Sequence, residues 1–369
     1  MLPLKLGVFM MPVHMPERDL QEALQEDRAL VRLADQLGFA EAWMGEHISS
    51  VGEPVPSPLI FHASMISEAP NIRFGTGVIS LPQHHPVMVA SHVALLDQLS
   101  AGRVIMGIGS GGLSSDWEIF GNLDHEKRGR AMLESLEIIE KIWSTDPPYH
   151  HDGEHWTIDT SQYQLERLGV GHVIKPIQKP FPPVAVSLRG PKSGLAMLAG
   201  ERGWIPISGN FIDQKDVACH WPLYEQGAAK VGRSVDPSCW RVARSICITD
   251  DIDLAHDLIN DPYGVFADYY FYLNTHMKLA MGILPEDWDE HQERLDAVEK
   301  AKSLVIIGTQ GQVTEQLMEF VDHVGRFGTL IMTGHDVHGH EQMWHRSMHI
   351  LAQDIAPKLD QHMSAMVGV

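Results

Sequence analysis

Short apolar runs alternate with longer amphipathic runs along the chain. Residues 4–11, 40–45, 72–81, 104–108, 184–188, 204–208, 241–249 and 329–332 have the length and apolar content of buried strands. Between them, helical spacing recurs over 20–37, 58–68, 87–99, 128–143, near 193–200, near 214–231, and over 311–324 and 341–356. Leu24, Leu30, Val31 and Ala34 lie on one face of the first of these, and Gly38 supplies its stop. Strand and helix in strict alternation imply a parallel sheet. Eight such units favour closure, so the predicted fold class is α/β, a (β/α)8 barrel. The polar stretches 144–183 and 262–302 are too long for connectors and read as loop insertions of one domain spanning 1–369. The second holds the aromatic run Tyr269-Tyr-Phe-Tyr272.

The length of 369 residues suits one such barrel with insertions. A formal net charge of −20 repels phosphate backbones and argues against nucleic acid as a partner, though a local pocket can still hold a small anion. No run is apolar for long enough to span a bilayer, and residues 1–11 lack the basic and apolar regions of a signal peptide. The expectation is a cytoplasmic protein without a membrane partner. Cys219, Cys239 and Cys247 show no CxxC spacing, which reads as free thiols, with Cys247 in the core.

In such barrels the chemistry sits at the C-terminal ends of the strands. The polar and glycine-rich residues gather there. Glu46-His47 follows the second strand, Pro82-Gln-His-His-Pro86 the third, and Gly109-Ser-Gly-Gly112 the fourth. Arg189-Gly-Pro-Lys-Ser193 follows the fifth, Ser208-Gly-Asn210 the sixth, and Thr333-Gly-His-Asp336 the eighth.

Gly107-x-Gly109-x-x-Gly112 matches a dinucleotide fingerprint in form, but residues 113–124 do not begin a clean helix. Closely spaced glycines also let a ligand approach the backbone. Gly190 to Ser193 precedes a helix and suits either an anion or an ordinary capping turn, with Ser193 as the cap. His47 suits a general base, a ligand, or a histidine bonded within its loop. His84 and His85 precede Pro86 and read as packing or capping groups. His335, His338 and His340 cluster after the last strand, and His345 and His349 stand at i, i+4 as a possible metal pair. With 22 histidines in the chain, chance clusters are expected, and no metal is assigned.

Several stretches together resemble luciferase-like flavin monooxygenases. They are Glu41-Ala-Trp-Met-Gly-Glu-His47, Ile72-Arg-Phe-Gly-Thr-Gly-Val78, Leu81-Pro-Gln-His-His-Pro86 and Leu96-Asp-Gln-Leu-Ser-Ala-Gly-Arg103, then Met106-Gly-Ile-Gly-Ser-Gly111, residues 128–143, Gly190 to Ser193 and Glu201-Arg-Gly203. Their order and spacing match from about residue 4 to 357. Ser80 to Pro86 and Leu113-Ser-Ser-Asp116 look most like limonene 1,2-monooxygenase-like members.

The resemblance implies a (β/α)8 barrel that takes reduced FMN from a separate flavin reductase. With O2 as co-substrate it would oxygenate an apolar organic molecule through a flavin C4a-(hydro)peroxide. It implies that His47 is the catalytic histidine and that Gly77 and Val78 lie under the isoalloxazine, often with a cis peptide. Gly109, Ser110 and Gly111 would lie near the ring and phosphate. Arg189, Gly190 and Ser193 would form the phosphate loop, and Ser208 and Asn210 would face the ring. A homodimer is the family tendency. Ser110 stands where bacterial luciferase carries a phosphate-pairing arginine, and Gly109 where it carries a reactive cysteine, so light emission is not expected. Residues 262–302 match a mobile lid. The same barrel in the wider superfamily also uses deazaflavin F420, and some members bind flavin without turnover. A metallohydrolase built on the late histidines is a third alternative.

Overall fold

Eight parallel strands close on themselves: β1 (Lys5–Met10), β2 (Glu41–Met44), β3 (Arg73–Thr76), β4 (Val104–Gly109), β5 (Val184–Leu188), β6 (Ile205–Ser208), β7 (Arg241–Arg244) and β8 (Thr329–Thr333). Their order is β3-β2-β1-β8-β7-β6-β5-β4, and the pairing of Phe74 and Gly75 with Val104 and Ile105 shuts the ring. This is the expected barrel. The computed structural model describes residues 3–191 and 193–366.

The strands read as continuous apolar runs because both of their faces are covered. Outward residues such as Val8, Met10, Ala42 and Met44 pack with Val31, Val321 and Leu351 of surrounding helices in one cluster. Met106, Val184 and Val186 pack with Leu136 and Ile139 in a second. Inward residues form a small third cluster of Trp43, Ile105, Ala185, Ala243 and Ile331, flanked by Phe9. Trp43 dominates this interior, and a Cβ on Gly75 would stand 2.3 Å from its ring. Below it, Arg241 pairs with Glu41 at 2.6 Å, and the Trp43 indole donates to Glu41 at 3.1 Å. A closed, plugged floor leaves only the opposite end of the barrel for chemistry.

Four local readings change. The third predicted strand breaks after Thr76 at a cis peptide between Gly77 and Val78, and resumes at Ile79–Ser80. The seventh breaks at Ser245, beyond which Ile246–Ile248 pairs with Ile306–Gly308 instead of the barrel. Residues 262–302 are not a loop. They carry two helices, Val265–Ala280 and Glu290–Leu304, packed on each other. Their ion pairs, Lys278 to Glu293 at 2.6 Å and Arg294 to Asp268 at 2.6 Å, lie between the helices, where apolar periodicity alone does not show them. The last helix does not stop at Ala356. It passes Glu341–Ile350, widens to a π-turn at Leu351–Ile355 and continues over Ala356–Ala365. Pro357 has no N–H to give, and the wider turn accommodates it.

The segment 145–183 does run as an irregular covering, with one small antiparallel hairpin, His150–Asp152 with Thr157–Asp159. Cys247 is buried and all three cysteines are free. Among the described residues no helix is long and apolar enough to cross a membrane.

Candidate active site

The exit of β2 supplies the first group. Glu46 is buried and accepts hydrogen bonds from the Ser80 N–H at 3.1 Å and from His84 Nε2 at 2.9 Å, tying the exits of β2 and β3 together. His84 is therefore a partner of Glu46, while His85 caps its helix by accepting from the Val87 N–H. His47 comes next and stands between two carboxylates. Its Nδ1 lies 3.4 Å from Asp116 Oδ2, and its Nε2 lies 3.2 Å from Glu53 Oε2.

Asp116 sits on a short helix, Ser114–Ile119, which begins where the sequence shows no clean helix start. It also accepts the backbone N–H groups of Ile48 at 3.2 Å and Ser49 at 2.9 Å. Burial works against its ionised form, but the bonds from His47, Ser49 and Ile48 prevail and hold its pKa below the ordinary range. Burial likewise opposes a charged His47, yet Asp116, Glu53 and Glu46 together raise its pKa. Glu53 is nearly inaccessible, and burial pushes its pKa up. An imidazole with a carboxylate at each nitrogen can take up a proton and give it back.

Glycines shape the floor beside His47. A side chain at Gly77 would strike Phe9 at 2.7 Å, and one at Gly109 would strike Val78 at 2.6 Å. The one on Gly112 would stand 3.4 Å from the Arg189 guanidinium and 3.8 Å from His47 Cε1. Gly112 thus marks the gap between the cation of β5 and the histidine of β2. Gly111 takes φ of 91°, and its open side faces Gln83 Nε2 and Trp117 Nε1. The Gln83 amide and the Trp117 indole N–H are buried and have no partner among the described residues. Arg128 lies over the Trp117 ring at 3.8 Å.

Arg189 forms no hydrogen bond or ion pair with any described residue. Its side chain is accessible, but surrounding protein desolvates it and lowers its pKa, so its exposure is to the cleft rather than to an open surface. Ser193 occupies the N-cap of helix Gly194–Arg202, yet its side chain makes no cap bond. The hydroxyls of Ser110 and Ser193 are both without a described partner. Lys192 lies outside the described residues. Gly190 accepts from His220 Nε2 at 2.9 Å, and His220 Nδ1 meets Ser208 Oγ at 2.8 Å. The Ser208 hydroxyl also accepts from the Trp240 indole at 2.9 Å, so it is fully engaged in packing. Asn210 is buried and bonded to Ser245 and Tyr269.

Helix Val265–Ala280 closes over these exits. Tyr272 meets Ser50 Oγ at 2.7 Å, and Tyr269 reaches Asn210. His276, one turn beyond Tyr272, bonds the Tyr272 carbonyl at 3.1 Å and has no carboxylate partner among the described residues. Burial, then the nearby His47 and Arg189, lower its pKa to about 4. A separate cleft of about 550 Å³, lined by Arg244, Lys215 and Phe320 among others, lies between helix Gln310–Val324 and residues 302–306, away from His47.

The late histidines scatter. His335 is buried against Phe266, Tyr269 and Trp344, bonds Ser245 Oγ at 2.9 Å, and burial pushes its pKa down to about 3. His338 approaches Glu26 and Glu341, the three-ligand group that the described residues bring together; His345 and His349 do not belong to it.

Of the residues singled out by sequence, the structure gathers His47, Gly111 and Arg189 around Gly112, and sets Gly77, Val78 and Gly109 side by side. It holds Ser208 and Asn210 through their side chains in the wall behind. Sequence reasoning missed Glu53, His276 and Trp117 as site residues, and used Gln83 and Asp116 only as parts of longer motifs. Glu53 lies in a loop with no periodic pattern. His276 could have been found from its i, i+4 spacing to Tyr272.

The model of the luciferase-like monooxygenase family matches residues 4–326. The 4-hydroxyprotoasukamycin monooxygenase of Streptomyces nodosus subsp. asukaensis is 30% identical over 97% of this chain and 92% of its own length. The limonene 1,2-monooxygenase of Rhodococcus erythropolis is 30% identical over 95% and 85%. Among solved structures, the oxygenating constituent of 3,6-diketocamphane monooxygenase from Pseudomonas putida, a type II Baeyer-Villiger monooxygenase in complex with FMN, superposes with a TM-score of 0.80 at 24% identity, covering 97% of this chain and 99% of that one. Barrel, strand-end glycines and two full-length relatives converge: the chain belongs to the luciferase-like monooxygenase family.

Proposed function

We propose that this chain is the oxygenating component of a two-component system. It would take reduced FMN from a separate reductase and use O2 to oxygenate an apolar organic molecule. The observation that carries this reading is the cleft around Gly112, which His47 and Arg189 both approach, beside the Gln83 amide and Trp117 indole, with Arg189, Gln83 and the Trp117 N–H all lacking a partner among the described residues. Buried polar groups without partners are uncommon and call for a ligand or water.

The residues fit a flavin. Gly77, Val78, Gly109, Ser110 and Gly111 would line the ring, where side chains at the glycines would intrude. Arg189, Gly190 and Ser193, with the free N–H groups of helix Gly194–Arg202, would hold the phosphate. The Arg189 cation would then do the work of the arginine that Ser110 replaces. Ser208 and Asn210 would act by fixing the β6 exit. When bound, reduced flavin supplies the electrons that activate O2.

The protein's own part is to orient, exclude water and manage a proton. His47 would hold that proton at Nε2 or Nδ1, with Asp116 fixing the ring. Helix Val265–Ala280, latched by Tyr272 on Ser50, would cover the cleft and keep water out. Relatives named limonene 1,2-monooxygenase and 3,6-diketocamphane 1,6-monooxygenase support an apolar substrate.

The test is anaerobic binding of reduced FMN, then rapid mixing with oxygenated buffer under absorbance detection. A transient species between reduced and oxidised flavin, longer-lived than in free solution, is expected. Direct reoxidation, or no binding, would favour an F420-dependent oxidoreductase on the same barrel, and the test would be repeated with F420. Binding with neither a transient nor turnover would favour a non-catalytic flavin carrier.

A further inference from the structure

Behind His47, on the side of Glu53, lies a second group of buried ionisable residues that the proposed chemistry does not use. Asp27, on helix Leu20–Gln36, and His14, after β1, are both nearly inaccessible. His14 Nε2 lies 3.3 Å from Asp27 Oδ2, and its Nδ1 lies 3.2 Å from Asp336 Oδ2. Asp336 also meets Arg18 at 3.0 Å. Backbone ties this group to the His47 loop: the His14 N–H donates to the Gly52 carbonyl at 2.8 Å.

A small cavity of about 10 Å³ separates the two groups. Glu53 and Asp27 both line it, with Met11, Pro12, Met44, Gly45, Pro54 and Val55 making up the rest of the wall. Its volume is that of about one water molecule. Glu53 Oε2, the atom that approaches His47, is buried and has no hydrogen-bond partner among the described residues. A water there would have the Asp27 and Glu53 carboxyls to bond, the two polar partners that the wall supplies.

We propose that the Asp27–His14 pair is a proton reservoir for His47, reached through Glu53 and one water held in this cavity. The idea rests on the reading that His47 handles a proton. Oxygenation by anionic reduced flavin consumes one proton: substrate, O2, FMNH⁻ and H⁺ give oxygenated substrate, water and FMN. With cofactor, substrate and helix Val265–Ala280 over the cleft, water would be held off the cleft side, and a buried donor would supply that proton. From the reservoir, the Glu53 carboxyl gives its proton to His47 Nε2, the water gives one of its own to the Glu53 carboxylate so formed, and the Asp27 carboxyl gives its proton to the water. Each hop breaks one O–H bond and makes one O–H or N–H bond. Asp27 is left as a carboxylate beside the His14 imidazolium, which stabilises it.

Burial pushes the carboxyl pKa values of both Asp27 and Glu53 up, against the pull of His14 and His47, which favours the protonated form of each acid relative to an exposed carboxyl. His14 is raised to about 9 although burial opposes it, because Asp27 and Asp336 bond it from either side. The groups that face His47 itself are Asp116, Glu53 and Glu46, with His276 across the cleft. Only Glu53 also reaches the cavity.

The test is infrared difference spectroscopy on the full-length protein without flavin, so that its outcome is independent of the cofactor reading. A protonated-carboxyl band that shifts in D2O and disappears in Glu53→Gln is expected. Asp27→Asn should displace that band, because both acids bond the same water. No such band, or a band that Asp27→Asn leaves in place, would overturn the proposal. Should Asp27→Asn fail to fold, Val55→Leu fills the cavity and should displace the band likewise. In flavin-loaded protein, Asp27→Asn should slow reoxidation several-fold and enlarge its solvent deuterium isotope effect. Added imidazole or formate should restore the rate. A loss that small acids do not restore would mean structural damage and would also count against the reservoir.

Discussion

Asp116 Oδ2 stands 3.4 Å from His47 Nδ1 while the same carboxylate accepts the backbone N–H groups of Ile48 and Ser49. The carboxylate that fixes the ring also fixes the loop that follows it. Because the anion favours the imidazolium, Asp116→Asn should let His47 lose its proton at lower pH, by about one pH unit. A ¹⁵N NMR titration of His47 reads this directly, and an oxygenation step that needs the neutral ring should extend to more acidic pH by the same interval. An unmoved titration would remove Asp116 from the tuning of His47.

His47→Ala separates binding from chemistry. None of the phosphate-side groups touches His47, so affinity for reduced FMN should hold within a few-fold, whereas turnover should fall by about a hundredfold or more. Equilibrium binding and oxygen uptake measured on one preparation distinguish the two. Unchanged turnover would exclude His47 from the mechanism.

Arg189 and Ser193 give a test of the phosphate site that leaves the fold alone. Neither side chain is bonded to the described protein, and Ser193 does not use its hydroxyl as a cap. Arg189→Ala should therefore keep its melting temperature while FMN affinity drops by about tenfold to a hundredfold, the worth of a hydrogen-bonded charge. Ser193→Ala should also avoid the usual loss of about 1 kcal/mol on removing an N-cap, and weaken binding less. Removing the Arg189 cation should in addition raise the His276 pKa from its value of about 4, since Arg189 is one of its causes.

Two glycines should respond in opposite directions. A Cβ on Gly107 would lie 1.8 Å from the Thr76 carbonyl oxygen, inside the closed ring of strands, and that backbone cannot move without opening β3 from β4. Gly107→Ala should cost about 3 kcal/mol or more in denaturant unfolding, at the upper end for overpacking. Gly129 is inside helix His125–Ser144 with nothing within 4 Å of an added Cβ, so Gly129→Ala should stabilise by about 0.5–1 kcal/mol.

The His14 site predicts a pH dependence of stability. Its folded pKa, about 9, lies above the ordinary 6.5, so its contribution is fully present below 6.5 and is lost as pH rises through about 9. Thermal melts across that window should fall in the wild type and fall less in His14→Gln. Identical slopes would show that other groups govern the alkaline limb.

Several elements were legible one residue at a time. The strands were readable because both faces of a closed parallel barrel are buried, so each is a continuous apolar run, as Val104 to Ile108 shows. The gathering of His47, Gly111 and Arg189 was legible once the barrel was, because strand ends share one rim. Helices Val265–Ala280 and Glu290–Leu304 were not, because the charges that join them, Arg294 with Asp268 and Lys278 with Glu293, look like polar loop residues until the two segments are packed.

Local sequence determined the barrel, its strand-end glycines and the histidine beside them, since apolar periodicity and backbone permissiveness are properties of neighbours in the chain. Only the tertiary structure decided the electrostatics: that Asp116 and Glu53 flank His47, that Arg189 is left without a partner among the described residues, and that Asp27 and Glu53 share one small cavity. Those relations join residues up to 69 positions apart, in the case of His47 and Asp116, and the field each group feels depends on distance and burial rather than on sequence.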